Sequence, residues 1–116
     1  MQQAYEDAKA KLVNSDGTPS RQYQAYLKYE QEYKSKIAEM NTAYRDALAD
    51  PMKLQTWPIE GRAYHDDADQ AMDRWIALGF KYEIENAINT LVSTAGEEGS
   101  ELVNRLRAQG AIGRDA

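Results

Sequence analysis

Cysteine is absent from this 116-residue chain, histidine occurs once and proline three times. Without thiols there is no disulfide framework, thiolate zinc site, iron–sulfur cluster or cysteine nucleophile. Positive charge is also short: 14 basic against 19 acidic residues leave a net charge of −5. The basic residues stand singly between acids, which removes the cationic footprint that nucleic acid requires. Long apolar runs are missing too. The longest, Trp75 to Phe80, is far too short to span a bilayer. The first residues, Met-Gln-Gln-Ala-Tyr-Glu-Asp, have neither the basic start nor the apolar centre of a secretory signal. With no leader and no anchor read here, the expectation is a soluble protein, cytoplasmic by default.

Apolar residues make up 42% of the chain and charged residues 28%, which suits one globular domain. We therefore expect residues 1–116 to form a single helical-bundle domain, standing alone or as a segment of a larger protein. Helical periodicity supports this class. Ala4, Tyr5, Ala8 and Leu12 recur at helical spacing over about 2–13. Asn14-Ser15-Asp16-Gly17 then marks a turn, and Thr18-Pro19 reads as a helix cap followed by proline at the first helical position.

The strongest pattern lies between about residues 20 and 49. Tyr23, Glu30, Ile37 and Tyr44 occupy one seam position, and Tyr26, Tyr33, Met40 and Ala47 the other, with Leu27 and Leu48 alongside. Gln24, Lys28, Glu32, Ser35, Glu39, Thr42 and Asp46 cover the opposite face. A 3.5-residue repeat over four heptads predicts close, nearly aligned packing on another helix, in a coiled-coil manner. Glu30–Lys34 and Glu32–Lys36 fit stabilising ion pairs one helical turn apart.

Asp50-Pro51 ends this pattern, and Pro51 to Pro58 reads as a linker carrying Trp57. A third helix is expected over about 63–92, with Asp66, Asp67 and Asp69 in its first turn, where carboxylates suit the helix dipole. Its apolar stripe rotates near Gly79, which we read as a close helix approach or a bend inside one helix. A capping box, Thr94-Ala95-Gly96-Glu97, or else a Ser100 cap, opens a last helix over about 97–109, with Gly110 just past its end. The predicted fold is thus all-α: a bundle built on a long antiparallel hairpin, about 20–49 and 63–92, flanked by two shorter helices.

No catalytic constellation emerges. Tyr64, His65, Asp66, Asp67 and Asp69 form the one cluster that resembles a site, yet adjacent helical residues point in different directions and do not converge on a metal. A di-iron carboxylate bundle calls for two Glu-x-x-His motifs, whereas Arg62 stands three before His65 and no second histidine exists. The serines have no local base, Asn14-x-Asp16-Gly17 lacks the rest of a calcium loop, and no glycine-rich phosphate motif is present. We expect no enzyme activity, metal, cofactor or small-molecule ligand.

Eight tyrosines remain to be explained. Tyrosine combines a large contact area with a hydroxyl that can stay wet, so a tyrosine seam suits a thin bundle or a surface that meets a protein partner. The residues expected to touch a partner, or a second copy of the chain, are Tyr29 at the stripe's edge, Trp57, and the cluster Tyr64, His65, Asp66, Asp67 and Asp69. The leading functional expectation is a non-enzymatic structural or interaction module. Alternatives are a component of a membrane-active or toxin-type protein, and a small-ligand binder with a pocket beside Trp75, Gly79 and Tyr82.

Overall fold

In the computed structural model, which describes residues 2–115 and the side chains of 3–109, the chain is all-α. Five helices follow in order: α1 Gln2–Leu12, α2 Arg21–Leu48, α3 Pro51–Ile76, α4 Lys81–Ala95 and α5 Glu97–Asp115. The described residues hold no β-strand beyond one isolated bridge, Val13 to Pro19. Two compact units divide the chain. One holds α1, the start of α2 through Lys28, and the chain from Leu78 onward; the other is Tyr29–Ala77.

In the first unit the connection from α1 to α2 is tied at every step. Gly17 takes φ +85°, and the Asn14 N–H donates to the Thr18 carbonyl at 2.8 Å. Asp16 accepts from both the N–H and the hydroxyl of Thr18, at 3.1 and 2.6 Å. These bonds to its charged form hold the Asp16 carboxyl below the usual aspartate range. The α2 cap is Ser20 rather than Thr18. Its hydroxyl accepts from the Tyr23 N–H at 3.1 Å and donates to the Lys11 carbonyl at 2.7 Å. The bridge to Val13 engages Pro19, so the helix starts after the proline instead of at it.

Around that connection α1 packs on α4, and α4 on α5. Leu12, Tyr23, Ile84, Leu91 and Leu106 are the largest fully buried side chains. Each contributes about 1.5–3 kcal/mol relative to exposure. α5 approaches α4 so closely that a Cβ on Gly99 would collide with the Leu91 carbonyl. Thr94 belongs to α4, its hydroxyl donating to the Thr90 carbonyl at 2.6 Å, so it does not cap α5. Gly96, at φ +58°, makes the turn, and α5 continues past Gly110 to Asp115.

The second unit is the long antiparallel hairpin, and its second arm lies earlier in the chain than the periodicity suggested. Residues 51–58 are helical, not a linker. Asp50 caps α3 by accepting from the Met52 N–H at 3.0 Å, and Pro51 takes the first helical position, where a missing N–H costs nothing. Pro58 lies inside the helix. Counted from Trp57, the residues Gly61, Tyr64, Ala68, Ala71 and Trp75 follow at alternating steps of four and three, a seam matching that of α2.

Gly79 is likewise not a bend within one helix. It adopts φ +81°, α3 ends at Ile76, and α4 begins afresh at Lys81. The rotated stripe marked two helices, because a left-handed residue interrupts the hydrogen-bond ladder that a bend would preserve. At 1.5 Å per residue, α2 and α3 are about 42 and 39 Å long.

Candidate partner-binding surface

Within the hairpin the two seams meet through aromatic rings. Tyr33 and Trp75 have ring centroids 6.0 Å apart, and Tyr44 and Trp57 are 5.2 Å apart. Trp57 then stacks on Tyr64 at 6.0 Å with an interplanar angle of 18°. Small residues make room for these rings: a Cβ on Gly61 would stand 2.7 Å from Trp57 Cε2, and Ala47, Ala68 and Ala71 are buried. An ion pair crosses between the helices as Arg74 Nε donates to Glu32 at 2.7 Å. Glu32 is therefore drawn away from Lys36, which pairs with Glu39 at 3.7 Å. Glu30 is buried on the seam with Lys34 at 3.9 Å.

The expected contact residues fall into separate groups. Trp57 and Tyr64 are half-buried and together, held in the ring stack. His65 is exposed and shares an open groove with Met40, Asn41, Tyr44 and Trp57. Asp66, Asp67 and Asp69 are exposed in the middle of α3 rather than in its first turn, so the helix dipole gives them no support. Tyr29 is half-buried near the far end of α2, about 28 Å along the axis from Leu48. Among the described residues no three potential metal ligands lie together. Of the alternative pocket, Trp75 is buried against Tyr33 and Tyr82 is exposed.

Three side chains that the sequence reading passed over stand out, together with Leu48 of the α2 stripe. At the turn of the hairpin, Leu48 is 54% exposed, Met52 75%, Leu54 42% and Ile59 80%. Among the described residues the exposed large apolar side chains are these four with Tyr44, Ile76, Tyr82 and Val92, so six of those eight belong to the hairpin. A signal was available: Met52 and Ile59 are seven residues apart, one face of a helix once 51–58 is granted to be helical. No described helix is long and apolar enough to cross a membrane. No protein family, curated protein or solved structure matches the chain.

Proposed function

We propose that the chain is a non-enzymatic interaction module whose docking element is the turn end of the α2–α3 hairpin. One observation carries this reading: the most exposed large apolar side chains among the described residues, Met52 and Ile59, stand on one face of α3 within three turns of the hairpin's end. Scattered single apolar residues need no explanation, whereas a concentration of them marks an interaction site. The ring stack behind them supports the same reading. Tyr44, Trp57 and Tyr64 stiffen a two-helix element that has few large buried aliphatic side chains, so the exposed face is presented on a preorganised support.

Photo-crosslinking tests the reading. A photoreactive residue at position 59, introduced in the producing cell, is expected to yield a discrete protein adduct. The same residue at Glu101, exposed on α5, is expected to yield none. Equal labelling at both positions, or no adduct at 59, overturns the assignment.

A further inference from the structure

Beyond the seam, α3 carries a second stripe. Met52, Thr56, Ile59 and Ala63 follow at steps of four, three and four, and all four are exposed. At 100° per residue the stripe lies roughly 130° round the helix from the seam, on an outer face of the hairpin. Its single polar group is already satisfied, since the Thr56 hydroxyl donates to the Lys53 carbonyl at 3.1 Å. Covering this stripe therefore leaves no donor unmet, and the Thr56 methyl can pack with its neighbours.

The edges of the stripe say what covers it. Lys53 and Glu60, seven residues apart, flank one side; Gln55 and Arg62 flank the other. All four are exposed, and Lys53 and Glu60 form no ion pair within the described residues. We propose that the stripe pairs with the same stripe of a second copy, the two α3 helices running antiparallel about a two-fold axis. This rests on reading the hairpin end as a docking element and names its partner.

In that arrangement Thr56 faces Ile59 of the second copy, and Met52 faces Ala63. Flanking positions then meet their own kind: Lys53 meets Glu60 and Gln55 meets Arg62, each contact occurring twice. A parallel pairing in register would instead set the Lys53–Glu60 edge against the Gln55–Arg62 edge, with no acid opposite Lys53. Only the antiparallel pairing therefore gives Lys53 an acidic partner, and it does so twice by symmetry. The stripe spans about 17 Å of helix, so the dimer belongs to the small, weakly bound class.

Sedimentation velocity of the full chain, from about 10 µM to 1 mM, supplies the test. The expected result is a monomer–dimer equilibrium that Ile59→Asp weakens at least roughly a hundredfold. Lys53→Glu alone and Glu60→Lys alone each weaken it about tenfold, and the double exchange restores it to within about threefold. Ile59 is exposed, so circular dichroism should show unchanged helicity, and Met52→Asp provides an independent check. A monomer throughout the range, or a dimer indifferent to these changes, overturns the proposal. If the photoreactive residue at position 59 then captures a different protein, the interaction reading stands and the second copy is the wrong occupant. If it captures nothing, both readings fall.

Discussion

The two units of this protein solve the burial problem differently. The unit built from α1, α4, α5 and the start of α2 surrounds large side chains completely, with Leu12, Tyr23, Ile84, Leu91 and Leu106 out of solvent. The hairpin consists of two helices, which cannot enclose a side chain on all sides. Trp75 is its one large buried apolar residue, and its other buried apolar positions are alanines and Gly61. Its α2 seam opens to solvent along its length, from half-buried Tyr33, Ile37 and Met40 to exposed Tyr44. Tilted and stacked rings replace the aliphatic centre, since aromatic pairs gain about 0.5–1.5 kcal/mol beyond their burial. The difference teaches that one continuous helix, α2, can carry a core seam at one end and a supporting surface at the other.

The largest effect that would sharpen this contrast comes from truncating matched side chains. Leu91→Ala should cost about 2–5 kcal/mol, while Ile59→Ala should stay within about 0.5 kcal/mol. Urea unfolding of both variants measures it, and similar midpoint shifts would erase the distinction between the units. Pro58→Ala comes next. Proline removes the N–H that would donate to the Leu54 carbonyl and crowds the preceding turn, so its replacement should stabilise the hairpin, by up to about 3 kcal/mol. A lower melting temperature in that variant would show that Pro58 contributes packing that outweighs its missing donor.

Gly61→Ala is expected to be smaller, about 1–2 kcal/mol, because the added methyl can displace the Trp57 ring rather than backbone. Its signature is optical: the Trp57 emission should change as the ring leaves its place between Tyr44 and Tyr64, whereas the emission of Trp75 should not. The smallest effect belongs to the α1–α2 connection. The Asp16 carboxyl titrates below its ordinary value of 3.8 in the folded chain. Its stabilising contribution is therefore complete above that value and is lost as pH falls through the lower, folded one. Asp16→Asn should remove this part of the acid sensitivity, visible below about pH 4 as a shallower fall in melting temperature with pH. An unchanged profile would remove Asp16 from the account.

Much of the architecture was legible before any coordinates. The tyrosine seam of α2 is where the four-heptad count placed it, because helical periodicity survives whatever packs against it. The turn at Gly17 was equally plain, since positive φ excludes most other residues. Proline misled the reading of 51–58. Pro51 and Pro58 suggest a linker locally, yet the first is harmless at a helix start and the second is tolerated beside the Tyr44–Trp57–Tyr64 stack. That one misreading moved the second arm of the hairpin and hid the Met52–Ile59 face. It also placed Asp66, Asp67 and Asp69 at a helix start that lies more than three turns earlier. Trp57 and Tyr64 were named separately, one as a linker residue and one within the His65 cluster, because their stacking depends on a helix that had not been read there.

By itself, then, the sequence determined the helical class, the spacing of the α2 seam and the turn formers between elements, all of which depend on neighbours a few residues away. Tertiary structure alone decided which proline a helix could absorb, that Gly79 would part α3 from α4, and which end of the tyrosine seam would be buried. Those outcomes depend on what lies across the interface, and a helix of given periodicity carries the same pattern whether one neighbour covers it or three.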